Sequence, residues 1–67
     1  METHDDVIRW HNRIYILRGG SFLRSLSDAA CLADAENFAI LLPALQQLYA
    51  KYPQYQTQEE KNAAEKA

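Results

Sequence analysis

The stretch Asn37–Tyr52, which reads NFAILLPALQQLYAKY, holds the densest concentration of apolar side chains in the chain. On a helix, at about 100° per residue, its large side chains fall within an arc of roughly 120°. That arc comprises Leu48, Leu41, Tyr52, Leu45, Phe38, Tyr49 and Leu42. The opposite side carries Ile40, Ala44, Gln47 and Lys51. The stretch therefore predicts an amphipathic helix around which the other segments pack.

The chain is short, because 67 residues allow one small domain, and such a domain buries only about 60% of the surface that its unfolded form exposes. Folds of this size usually gain stability from disulfides, a metal or a partner chain. Cys31 is the only cysteine, which excludes a disulfide within one chain and suits a packed thiol in a reducing compartment. A second copy is the simplest partner, so we expect a homodimer.

Charge and hydropathy set the expected class of protein. The net charge is −2, all four arginines precede Ser25 and all three lysines follow Ala50. This mild asymmetry disfavours a polyanion as the target. The acidic start METHDD is not typical of a secretory or mitochondrial leader. The longest apolar run, Phe38–Leu42, is far short of the ~20 residues of a membrane span. We expect a cytoplasmic protein with no membrane association.

The N-terminal half predicts one helix and a short helical turn. The first helix is expected over residues 5–18, capped by Thr3 or Asp5 and stabilised by an ion ladder of Asp5, Arg9 and Arg13 at four-residue spacing. Its apolar arc, near 180°, is wider than one neighbouring helix covers. Gly19-Gly20 ends the helix, and a short helical turn follows over residues 21–26.

The C-terminal half predicts a long helix over residues 28–51 that is kinked at Pro43. The alternative is two helices that meet near Leu41–Leu42. Pro53 then ends the helix, and residues 54–67 form a polar, frayed or partly helical tail with a capping box at Thr57 and Glu60. The expected fold class is all-α: residues 1–53 form a helical hairpin, and two hairpins dimerise into a four-helix arrangement.

No motif predicts catalysis, a metal or a cofactor. His4 and His11 lie about 10.5 Å apart along a helix, which is too far to share one ion. Arg18-Gly19-Gly20-Ser21 matches neither a Walker loop nor a dinucleotide fingerprint, so a turn between helices is expected there. The serines, Cys31 and the histidines show no spacing typical of a nucleophile beside a base. We expect a protein that is not an enzyme and binds no cofactor or metal.

The remaining signal is a set of amphipathic and apolar side chains suited to intermolecular contact. The candidate interface residues are Ile8, Trp10, His11, Tyr15, Arg18 and Tyr55. The leading hypothesis is a small adaptor, inhibitor or regulatory subunit that binds itself and another, unidentified protein. The alternative is a dimeric nucleic-acid-binding regulator that uses the arginines of the first helix, although nucleic acid is disfavoured because the helix of the central stretch carries Lys51 as its only base. A structural role in a larger assembly is a third hypothesis.

Overall fold

The computed structural model describes residues 1–56. It contains three α-helices: α1 over His4–Ile16, α2 over Ser21–Leu32 and α3 over Ala35–Lys51. A short 3-10 helix follows at Pro53–Tyr55. No strand occurs in residues 1–56, which confirms the predicted all-α class.

The start of α1 is fixed by a reciprocal capping box. The Oγ1 of Thr3 accepts a hydrogen bond from the Asp6 amide at 3.2 Å, and the Asp6 carboxylate accepts from the Thr3 amide at 3.0 Å. The Glu2 amide also donates to this carboxylate at 2.8 Å. These backbone donors lower the pKa of Asp6. Thr3 is therefore the cap that the sequence predicts, and Arg9 forms an ion pair with Asp6.

The end of α1 comes at Ile16, earlier than the expected residue 18, and it is closed by a Schellman motif. The Gly19 amide donates to the Ile14 carbonyl at 2.7 Å, and the Arg18 amide donates to the Tyr15 carbonyl at 3.2 Å. The left-handed residue of this motif is Arg18, at φ 56°, where glycine is the usual choice. Gly19 is needed for another reason, since a Cβ there would lie 2.7 Å from Cγ2 of Ile14.

The predicted single helix over residues 28–51 is wrong, as is the short helical turn before it. The segment after Gly20 forms a full helix, α2, and the chain breaks at Ala33–Asp34. Asp34 is extended and its side chain accepts from the Asn37 amide at 2.8 Å, so it starts a new helix. The alanines on both sides of Asp34 favour helix, but they do not prevent Asp34 from ending one helix and capping the next. Pro43 lies inside α3, which excludes two helices meeting near residues 41–42.

The core lies where α1, α2 and α3 meet. Ser27 and Ala30 of α2 are fully buried, and their small side chains let α2 approach α1 closely. The contacts between α1 and α3 are made by large rings: His4 stacks on Phe38 with centroids 4.3 Å apart, and Trp10 meets the edge of a tyrosine of α3. The buried apolar residues are Val7, Trp10, Ile14, Leu23, Ala30, Phe38 and Leu45.

The 3-10 helix folds back on α1, so the segment after Pro53 is not wholly a tail. Tyr55 packs against the core, and its hydroxyl lies close to Gly19. The side chain of Gln56 donates to the Tyr49 carbonyl at 3.2 Å. The tail expected over residues 54–67 thus begins with residues that contact the helical domain. The capping box predicted at Thr57 and Glu60 lies outside the described residues.

Candidate functional site

Seven large apolar side chains remain exposed in the part of the chain that the structure describes, and they are unevenly distributed. Those near the α1–α2 turn belong to one edge of the molecule, and a second group lies on the outer side of α2 and α3. The most exposed of all are Leu32 at 86% and Ile40 at 75%, both in the second group. The full set is Ile8, Tyr15, Ile16, Leu17, Phe22, Leu32 and Ile40.

Leu32 and Ile40 border an open groove between α2 and α3. Its volume is about 440 Å³. Ala29 of α2 and Ala33, the residue that follows α2, are both small and leave space beside α3. No ionisable side chain lines this groove. The lining residues are Ala29, Leu32, Ala33, Asn37, Ile40 and Leu41. The groove is thus an uncharged, apolar surface with two projecting side chains at its edge.

Two of the predicted interface residues belong to the core of their own chain. Trp10 is 1% exposed and presents no surface to a partner, which corrects its assignment to an interface. Tyr55 is partly buried against the core, because the 3-10 helix returns to the space beside Gly19. The assignment of Tyr55 to an interface is therefore corrected to a contact with the core of its own chain.

The other predicted interface residues lie at the surface of α1 or just beyond it. Ile8, Tyr15 and Arg18 are exposed, and His11 is partly buried. Tyr15 and His11 already have partners on α2, and Arg18 forms the left-handed turn. The groove between α2 and α3 was missed because the predicted long helix placed no gap at residues 33–34. Asp34, an N-cap residue type within an alanine-rich run, was the available signal.

A polar cluster joins α1 to α2. Nδ1 of His11 lies 2.9 Å from Oγ of Ser27, and the hydroxyl of Ser27 donates to the Arg24 carbonyl at 3.1 Å. Because the hydroxyl proton of Ser27 is donated to Arg24, Oγ of Ser27 is the acceptor of the hydrogen bond with His11. Nδ1 of His11 is therefore assigned the proton of that bond. The Tyr15 hydroxyl donates to the Asp28 carboxylate at 2.8 Å, and this bond raises the pKa of Tyr15.

This cluster resembles a catalytic triad in composition but not in geometry. In a triad the two ring nitrogens of histidine separate the nucleophile from the carboxylate. Here Oγ of Ser27 and Oδ1 of Asp28 both approach Nδ1 of His11, at 2.9 and 3.4 Å. Ser27 is also fully buried and unable to reach a substrate. The cluster therefore provides hydrogen-bond partners for polar groups that lie between two closely packed helices.

Metal and thiol chemistry find little support in the described residues. Within residues 1–56 no three His, Cys, Asp or Glu side chains form a group suited to a metal ion. His4 is stacked on Phe38 and is held away from His11 by the helix between them. Partial burial raises the pKa of the Cys31 thiol, which disfavours a reactive thiolate.

The arginines proposed for nucleic-acid contact are dispersed and engaged. Arg9 is paired with Asp6, and the guanidinium of Arg24 lies 5.8 Å from the centre of the Tyr15 ring. Arg13 is partly buried and Arg18 forms the turn after α1. Two of these four side chains are thus already used in contacts within the chain.

No protein-family model, curated protein or solved structure matches this chain. In residues 1–56, no helix combines the length and the apolar character needed to cross a bilayer. The surfaces described above are therefore what bears on function.

Proposed function

We propose that this chain is a small non-enzymatic protein that acts by associating with other protein chains, as an adaptor, inhibitor or regulatory subunit, and that it does so as a homodimer. The observation that carries this proposal is the groove between α2 and α3, bordered by Leu32 and Ile40. Leu32 and Ile40 are the two most exposed large apolar side chains among residues 1–56, and the helices that carry them also contribute to the core.

The energy available at this groove supports association. Transfer of a fully exposed Leu or Ile side chain out of water is worth about 1.5–3 kcal/mol. Leu32 and Ile40 are nearly fully exposed and lie beside the same groove, so one partner element covers both. Apolar residues at the centre of a contact surface, without charges among them, are typical of protein interfaces.

Binding of nucleic acid by the arginines of α1, together with Arg24 of α2, is the competing hypothesis, and the proposal gives it less weight. Arg9 is held in an ion pair with Asp6, and Arg24 lies over Tyr15. If Arg9 bound a phosphate, the ion pair in α1 would be lost. If Arg24 bound a phosphate, its contact with Tyr15 between α1 and α2 would be lost. The two hypotheses require different residues, so surface variants separate them.

The test compares three variants of the full chain in binding. Partners captured from the native host are identified by mass spectrometry, and each purified partner is then titrated by calorimetry against the variants. Leu32→Asp combined with Ile40→Asp is expected to weaken binding at least tenfold, because it places two charges in the apolar contact. Ile16→Asp, at a side chain 70% exposed elsewhere, is the matched control and is expected to bind as the unmodified chain does.

The same titrations with Arg9→Glu combined with Arg13→Glu test the competing hypothesis. Protein association through the groove predicts little change. The proposal would be contradicted by three results together: this variant loses binding, the variant with Leu32→Asp and Ile40→Asp binds normally, and the captured material contains nucleic acid.

A further inference from the structure

The outward side of α3 carries a line of exposed side chains from one end of the helix to the other. Residues 36, 40, 44, 47 and 51 are spaced by four, four, three and four positions, so they fall within an arc of about 80°. All five are exposed. They are Glu36, Ile40, Ala44, Gln47 and Lys51.

This line has opposite charges at its two ends and none between them. Glu36 lies in the first turn of α3 and Lys51 in the last turn. Residues 37–50 contain no Asp, Glu, Lys, Arg or His. The two charged residues are 15 positions apart, about 22 Å along the helix axis. A surface of this kind is complementary to itself when one copy is reversed.

Reversal of a second copy gives one register in which the two charged ends of the line face opposite charges. If α3 of one copy packs antiparallel on α3 of another about a two-fold axis between residues 43 and 44, Glu36 faces Lys51 of the second copy. The symmetry repeats that ion pair at the opposite end. In the same register Ile40 faces Gln47 of the second copy, and the small residues Pro43 and Ala44 meet at the axis, where they allow close approach of the two helices.

We propose that α3 of a second copy packs antiparallel on the outward side of α3 in this register and extends over the groove between α2 and α3, which shares Ile40 with that side. The inference rests on the proposed function and names its homodimer interface. Residues 57–67, read as TQEEKNAAEKA, contain alanine as their only apolar residue type and offer nothing to cover Leu32 and Ile40. A partner helix of single-sign charge would satisfy one end of the line and be repelled at the other.

The size of the contact sets the expected affinity. Two adjacent helices give a face about 20 Å wide, and α3 is about 25 Å long. Two such faces bury on the order of 1,000 Å² in total, at the low end for a specific interface. The dimer is therefore expected to have a Kd of about 1–100 µM and to dissociate on dilution.

The positions of Glu36 and Lys51 have a simpler explanation that the test must separate. An acidic residue in the first turn and a basic residue in the last turn both stabilise an isolated helix through its dipole. Under that explanation each charge reversal lowers helix stability, and reversing both is the worst case. Under the dimer proposal, reversing both restores the two ion pairs.

Sedimentation equilibrium of the full chain at low salt measures this directly. Glu36→Lys alone and Lys51→Glu alone each turn two attractive pairs into two repulsive ones, so each is expected to weaken the dimer about tenfold. The double variant Glu36→Lys/Lys51→Glu is expected to return to within about threefold of the unmodified Kd. Ile40→Asp is expected to abolish the dimer, and Ile16→Asp is expected to preserve it.

Circular dichroism and thermal unfolding of each variant show that the fold persists, which matters for Lys51→Glu because the ammonium lies 5.4 Å from the centre of the Tyr52 ring. A dimer that the double variant fails to recover, or that Ile16→Asp breaks while Ile40→Asp does not, would overturn the register and leave the proposed function standing. A chain that is monomeric throughout would overturn this inference and the homodimer of the proposed function, but not the binding of other proteins. If the groove variants also bind every captured protein normally, the proposed function falls as well.

Discussion

The solvent sides of α1 and α3 are built differently. On α1 the polar side chains are used within the chain: Asp6 caps the helix and pairs with Arg9, and Tyr15 is bonded to Asp28. On α3 the outward side is uncharged from residue 37 to residue 50, and Ile40 projects into solvent. Polar side chains of α1 thus form contacts that stabilise one copy, whereas the outward side of α3 leaves a large apolar side chain exposed.

The largest effect is expected when isoleucine is replaced by alanine at one position in α1 and at one position in α3. Ile14→Ala removes a fully buried side chain of α1 and is expected to lower the free energy of unfolding by about 2–5 kcal/mol. Ile40→Ala makes the same chemical change at a side chain 75% exposed and is expected to cost less than about 0.5 kcal/mol. Urea denaturation at a concentration that keeps the chain monomeric measures both. Equal losses would show that Ile40 is part of the core.

The turn between α1 and α2 gives the next largest effect. A Cβ at Gly19 would lie 2.7 Å from Cγ2 of Ile14 and 3.3 Å from its carbonyl oxygen. Gly19→Ala is therefore expected to cost about 1–3 kcal/mol through overpacking. At Gly20, where nothing lies within 4 Å of a Cβ, the same change is expected to stay within about 0.5 kcal/mol. Thermal unfolding of the two variants compares them, and a neutral Gly19→Ala would contradict the close packing of Tyr55 and Ile14 there.

The break between α2 and α3 is tested by its cap. Asp34→Ala leaves the Asn37 amide without its acceptor and is expected to cost about 1 kcal/mol. Asp34→Asn keeps a side-chain acceptor of equal capping strength and is expected to be nearly neutral. Chemical denaturation followed by circular dichroism measures the pair of variants. Identical behaviour of the two would mean that the side chain of Asp34 does not hold the start of α3.

The smallest effect concerns pH and the cap of α1. The amides of Glu2 and Thr3 lower the pKa of Asp6 in the folded chain, so its ionised form is favoured by folding. The resulting stability is present above the carboxyl's unfolded pKa and is lost as pH falls through the lower folded pKa. Urea midpoints between pH 7 and pH 2 are expected to fall less in Asp6→Asn than in the unmodified chain. An equal or steeper acid dependence in the variant would contradict this role.

The sequence predicted the all-α class, a first helix capped by Thr3 or Asp5, and the passage of a helix through Pro43, because each depends on residues close together in the chain. It did not predict the break at residues 33–34, where one aspartate outweighs the helix propensity of its alanine neighbours. It also missed the return of Tyr55 to the core. The contact of Tyr55 with the core depends on the absence of a side chain at Gly19. Gly19 is distant from Tyr55 in sequence and is brought near it only by the fold.

The candidate surface was predicted less well than the fold. The side chains of Trp10 and Tyr55 have the amphipathic character of interface residues, yet both serve the core of their own chain. Ile40 was placed on the outward side of its helix, but its neighbour across the groove, Leu32, was not expected there because the predicted helix was continuous. The groove arises from a change of helix direction that local periodicity does not encode.

Sedimentation equilibrium of the unmodified chain, from 1 to 200 µM, tests the central claim most directly. A reversible monomer–dimer equilibrium with a midpoint in the micromolar range is the predicted result, with Ile40→Asp monomeric over the whole range. A chain that folds cooperatively and stays monomeric at every concentration would contradict the claim that the outward side of α3 is an interface between two copies.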